Sequence, residues 1–285
     1  MRIISVSNNN TYNHSFGINL QSKKLRFKED DFYVRIKGYG HHSGWAKKIR
    51  ETADAVVNFI REKCNFEETL KKTCDGVTEA NNLLIDSDKR LHTGILRTNR
   101  EGWRFGSDWN AEDGIITKYG RGTNNSKSNK YKSYVDRFDY VVKHPLKNPY
   151  DDMILTRPVH DKDYYGKILD HGNGKSINKA FEHINKIYDD LYKKYISCEV
   201  KEENLKDINN SIAEIRWILA HATPWERGSD AISNTFIRAV YKAAGIKTYP
   251  LKRGVSLDLE AYCTNLEEYK TNFPKYFQYE PKIID

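Results

Sequence analysis

Three stretches in the second half of the chain repeat an apolar side chain every three or four residues, and that spacing constrains the fold more than any other feature. The first runs Ile177, Phe181, Ile184, Ile187, Leu191; the second Leu205, Ile208, Ile212, Ile215, Ile218, Leu219; the third Ile232, Phe236, Val240, Ala243. A period near 3.6 gathers each set on one helix face, which another element must cover. Ser176 stands where the first helix needs an N-cap, and Gly245 where the third needs a C-terminal cap. Nearer the start, Trp45, Ile49, Ala53, Val56 and Ile60 form a fourth stripe, from an N-cap at Ser43 to about Arg61. A shorter helix is expected from Val77 to Leu84, and "SLDLEAYCTNLEEYKTNF" (256–273) reads as one or two short helices.

Strand signals are fewer. "DFYVRIKG" predicts a strand from Phe32 to Ile36, and "GIITKYG" (114–120) predicts another. "DDMILTRPV" (151–159) is a strand candidate that "YYGKIL" (164–169) could meet as a hairpin. "SYVDRFDYVVKHP" reads as a strand or short helix stopped near Pro145, and the polar "GRGTNNSKSNKYK" (120–132) as a mobile loop. The reading is mainly α, with a small β-hairpin and a more irregular α+β N-terminal part.

A chain of 285 residues, 38% apolar, can bury a sizeable core. Its net charge of +8 is set by 47 bases against 39 acids, which suggests a basic side and phosphate-bearing partners. Four cysteines, at 64, 74, 198 and 263, form no CxxC pair, so neither structural zinc nor a disulfide scaffold is expected. No apolar run is long enough for a signal peptide or a membrane span. Export by a route without a cleaved signal stays open. No nucleic-acid-binding motif is recognisable, so no nucleic-acid partner is expected.

Three glycine turns are candidate phosphate sites. "KGYGHHSG" has the spacing GxGxxxG where a dinucleotide fingerprint needs GxGxxG, so a simple turn before a helix accounts for it better. "HGNGKS" lacks the earlier glycine of a P-loop, since Leu169 occupies that position. The third, "HATPWERGSDAISNTF" (221–236), lies between two strongly patterned helices. There Gly228 permits a backbone nest, a helix N-terminus offers N–H groups, and Arg227 supplies a planar fork for phosphate or carboxylate. Trp225 could wedge the turn against the core. The plainer alternative is that Ser229 caps the helix and Arg227 pairs with a surface acid.

"DDLYKKYIS" (189–197), "IRWILAHATPWERGSDAISNTFIRAVYKAAGIKTYP" (215–250) and "RGVSLDLEAYCTNLEEYKTNFPKYF" (253–277) resemble the AvrB family of bacterial effectors, which belongs to the wider Fic/Doc (Fido) fold. Earlier, "YKSYVDR" (131–137) resembles it faintly. The resemblance implies a single AvrB/Fido-like domain over 1–285, with 86–150 including a variable, partly flexible recognition insertion. It also implies a nucleotide pocket lined by Arg227, in "ERGS", and by Asp258, in "SLDLEA", with one residue displaced before it. The implied donor is a nucleotide or nucleotide sugar of UDP, dTDP or ADP type, and the family's known case transfers rhamnose. A protein hydroxyl would be the acceptor, on a host protein after export from the bacterial cytoplasm.

Fic enzymes carry HPFx(D/E)GNGR, with a histidine base and a metal-binding acid. Here Thr223 falls at the histidine position and Arg227 at that of the acid, so no metal is expected, and Thr223, Gly228 and Ser229 join Arg227 as candidate nucleotide contacts. His221 lies two residues early, and Fic-type AMP or phosphoryl transfer would need it as the base. The bases of 118–143 (Lys118, Arg121, Lys127, Lys130, Lys132, Arg137, Lys143), with Asp136 and Asp139 against them, offer a recognition surface; Lys130 and Lys132 are candidate nucleotide contacts. A catalytically inactive effector that docks on a host protein is the remaining alternative.

Overall fold

The computed structural model describes residues 43–62, 65–83, 93–97, 106–108, 134–161, 166–198, 200–252 and 254–284. The strands expected at 32–36 and 114–120 and the loop at 120–132 lie outside them, as do Lys130 and Lys132. The described chain is mainly helical: α1 (Ser43–Arg61), α2 (Phe66–Asn82), α3 (Tyr134–Lys143), α4 (Lys175–Leu191), α5 (Leu205–Ala222), α6 (Ser229–Ala243), α7 (Leu257–Cys263) and α8 (Leu266–Asn272).

The patterned stripes do bury. Trp45, Ile49, Ala53, Val56 and Ile60 of α1 all face the core, as do Ile208, Ile212, Ile215, Ile218 and Leu219 of α5. From Ile215 to Ala222 every residue of α5 is buried, and so is every residue from Ile232 to Tyr241 of α6. A helix buried on all sides must sit at the centre of the fold. Accordingly α5 packs on α4, α6, α7 and α8, while α1 and α2 cover α6. Phe66 pins three of these helices together, its ring within 6.0 Å of Phe181, Tyr188 and Phe236.

Several boundaries differ from expectation. The second helix begins at Phe66, well before Val77, because Asn65 accepts a hydrogen bond from the Glu68 amide at 2.9 Å and caps it. Ser176 lies inside α4 and is buried; Gly174 occupies the cap position without a side-chain bond. Of the stretch expected as a strand or short helix, Tyr134–Lys143 forms the helix α3. The expected hairpin forms from β2 (Arg157–Asp161) and β3 (Gly166–Asp170), antiparallel with Arg157 opposite Asp170. Residues 151–156 precede β2 as turn and coil, and β1 (Gly106–Asp108) adds to the other edge of β3. Ile246–Lys247 (β4) and Lys282–Ile283 (β5) make a second small sheet just after Gly245, which takes φ +70° at the end of α6. Among the described residues no helix is long and apolar enough to cross a membrane.

Candidate functional site

The link between α5 and α6 is built to be short and fixed. Thr223 ends α5 with φ +41°, an unusual value for a residue with a branched Cβ, and its hydroxyl donates to Ala220 O at 2.8 Å. The last carbonyls of α5 have no partner within the helix and are met from outside it. Arg97 reaches in, buried, and donates Nε to Thr223 O at 2.7 Å and Nη2 to Ala222 O at 2.9 Å. A cation there complements both the unmet carbonyls and the negative end of the helix dipole.

Residues 93–97 then run beside the turn. Arg97 N donates to Pro224 O at 2.9 Å, Glu226 N to Ile95 O at 2.9 Å, and Gly94 N to Arg227 O at 3.3 Å. Gly228 follows with φ +85°, and a Cβ added there would lie 2.8 Å from Thr93 Cγ2. Both the left-handed conformation and the close neighbour call for glycine. Ser229 is the first helical residue and does not cap α6. Its hydroxyl accepts from Trp225 N at 3.2 Å and donates to Trp225 O at 3.1 Å, closing the turn on itself. Trp225 is buried, and its ring packs 6.5 Å from that of Phe181, so it does wedge the turn against the core.

Asp258, in the first turn of α7, is held by a residue that sequence reasoning missed. Arg216 of α5 is fully buried and forks three ways. Nη1 lies 2.6 Å from Asp258 Oδ1, Nη2 donates to Asp230 Oδ1 at 2.7 Å, and Nε donates to Asn234 Oδ1 at 2.8 Å. The Asp258 contact is a close ion pair held off the hydrogen-bond axis. Burial would lower the Arg216 pKa, but Asp258 and then Asp230 outweigh it and leave the guanidinium above its ordinary value. Because Asp230 is the second residue of α6, one cation ties Asp258 to the helix that starts at Ser229. A lone arginine inside the apolar run "IRWILAHA" was the available signal, since a charge on a buried face requires partners.

His221 and Thr223 are turned inward. The His221 ring is fully buried, tilted against Trp217 with centroids 4.1 Å apart, with Nδ1 3.1 Å from Thr156 O and Nε2 3.1 Å from Ala261 O. A neutral imidazole carries one N–H, so only one of those carbonyls can receive a hydrogen bond. Burial pulls its pKa down to about 3 against the opposing pull of the two carbonyls, and the ring is neutral. Thr223 Oγ1 lies 3.1 Å from Nδ1 of His171, itself buried, with a pKa lowered to about 3 by burial and then by the Arg97 charge.

The basic stretch is also partly spoken for. Arg137 donates Nη1 and Nη2 to the two oxygens of Glu260 at 2.9 and 2.8 Å, and Tyr134 adds its hydroxyl at 2.7 Å. A hollow of about 430 Å³ beside Asp136, Asp139, Tyr140 and Lys143, and another of about 310 Å³ between α1 and α2, include neither Arg227 nor Asp258. Among the described residues no group of three or more His, Cys, Asp or Glu side chains is placed to hold a metal ion.

A family of avirulence proteins, AvrB/AvrC, matches residues 130–280, just over half of the chain. The chain belongs to the AvrB/AvrC family. Avirulence protein B of Pseudomonas savastanoi pv. glycinea is 32% identical over 110 residues, 39% of this chain and 32% of that protein. The chain therefore aligns with about a third of that relative's length. The AvrB/AvrC match takes in α3 to α8, and with them Arg216, Arg227, Asp230 and Asp258. It leaves out α1, α2 and the 93–97 segment that braces the turn.

Proposed function

We propose that this AvrB/AvrC protein is an effector with a single Fido-like domain, that it acts inside host cells, and that it transfers a sugar from a nucleotide sugar to a hydroxyl of a host protein. The observation that carries this reading is the Arg216 bridge, which draws the Asp258 carboxylate toward the helix that begins at the Arg227–Gly228–Ser229 turn. Arg227 holds the donor diphosphate, and the amides at the start of α6 complete the anion site. Asp258 sits on the sugar side, where it orients a hydroxyl or stabilises positive charge developing at the anomeric carbon. In the reaction the anomeric C–O bond to the diphosphate breaks and a bond to the acceptor oxygen forms. The nucleoside diphosphate leaves and the hydroxyl proton passes to solvent or a base.

The burial of His221 between two backbone carbonyls argues against AMP transfer that uses its ring as base. A docking effector without catalysis is the second reading, and it draws on the engagement of residues 224–227 with 93–97, which packs backbone against part of the turn. Incubation of the protein with UDP-, dTDP- and ADP-sugars and host-cell extract, read by mass spectrometry, tests the proposal. A hexose or deoxyhexose mass on a protein hydroxyl, lost in Asp258→Asn, is the expected result. An added AMP or phosphate, or no adduct with any donor, would overturn it.

A further inference from the structure

The geometry points to Arg216 as a positioning residue of the site: it fixes the Asp258 carboxylate and the first turn of α6 in one frame, so that a disturbance at either carboxylate reaches the other through the guanidinium. This rests on the proposed function only in taking Asp258 and the α6 turn as the site. The coupling itself is read from the contacts.

The three nitrogens of the Arg216 guanidinium meet three different partners, Asp258 on α7 in a close ion pair and Asp230 and Asn234 on α6 through hydrogen bonds. Asn234 Nδ2 also donates to Asp230 Oδ1 at 3.0 Å, which closes a ring of bonds over the first turn of α6. A lysine offers one compact ammonium and cannot serve three separate directions with a rigid fork. Since Arg216 is fully buried, water cannot stand in for a lost partner, and the guanidinium must move when one carboxylate is removed. Asp258 fits a shared role. Its Oδ1 is buried against Arg216, yet the side chain keeps 16% of its exposure, so what remains accessible lies away from that oxygen. One oxygen is thereby committed to the frame while another part of the side chain still meets solvent.

Amide hydrogen exchange on the whole chain tests the coupling without any donor. Asp258→Asn removes charge on α7, and Asp258 is linked to α6 through Arg216. We expect the substitution to speed exchange of the amides of Ile232, which donates to Gly228 O, and Ser233 about tenfold while leaving the α4 amides unchanged. Asp230→Asn, a milder change at a residue with a side chain 35% exposed, is expected to do the same. The two together should add little beyond either alone. Unchanged exchange at Ile232 and Ser233 in Asp258→Asn, or fully additive effects, would overturn the inference. In the transfer assay Asp230→Asn is expected to lower kcat about tenfold with the donor KM within twofold, a split that general loss of folded protein would not produce. Should the wild type bind and transfer nothing, the proposed function fails, and the exchange result still decides the coupling.

Discussion

Two imidazoles are sealed from water within one small network: His171 against Thr156 and Thr223, and His221 between the Thr156 and Ala261 carbonyls. Both have pKa values lowered to about 3, chiefly by burial, whereas an unfolded histidine takes up its proton near 6.5. Below about 6.5 the unfolded chain therefore binds protons that the folded chain refuses, and stability falls as pH falls toward 3. Each ring contributes a slope of up to ~1.4 kcal/mol per pH unit across that window. Urea denaturation is expected to show a midpoint that drops steadily between about pH 7 and about pH 5, above the range where ordinary carboxylates titrate. His221→Phe should flatten part of that slope, and a pH-independent midpoint would contradict the burial of both rings. The sequence placed His221 at the end of a helix, but nothing local disclosed its surroundings. Its partners lie 65 and 40 residues away, and they are backbone carbonyls, which any residue type can supply.

At the scale of elements, the turn between α5 and α6 is the best-determined piece of the site. Gly228 stands at φ +85° against the Thr93 methyl, so two separate penalties meet any substitution there. Gly228→Ala is expected to lower stability by about 2 kcal/mol, from the left-handed conformation and the contact together. Thr93→Ser removes the methyl, keeps a hydroxyl for the Asn81 amide that now donates to it at 3.2 Å, and should restore part of the loss. Thermal unfolding of the single and double variants checks this, and equal losses with and without the Thr93 change would refute the steric share. The helix–turn–helix was legible because apolar periodicity and a glycine mark its edges. The 93–97 brace was not, since a β-bridge is made by backbone groups and leaves no side-chain pattern. The early start of α2 was signalled by Asn65 with Glu68 three residues on, and the expectation at Val77 overlooked it because Thr69, Thr73 and Cys74 dilute the apolar stripe that they nonetheless join.

Across the whole molecule, the AvrB/AvrC portion supplies the central helices and the candidate site, while α1, α2 and the brace are added from outside the matched part. The added elements are not peripheral. They cover α6, and Arg97 caps α5. The mainly helical class was legible in the sequence from its helix stripes alone, and the family from the residues around "WERGS". The resemblance implied a pocket shared by Arg227 and Asp258, but the contact that pairs Asp258 with the first turn of α6 was not legible, because it runs through Arg216, a charge hidden in an apolar helix. That pairing matters only if the turn holds a nucleotide. Isothermal titration calorimetry of the wild type and Arg227→Ala with UDP, dTDP and ADP tests this most directly. The account predicts heat of binding with at least one nucleoside diphosphate, weakened tenfold or more in Arg227→Ala at unchanged thermal stability. No binding to any of them, or equal affinity in both proteins, would contradict it.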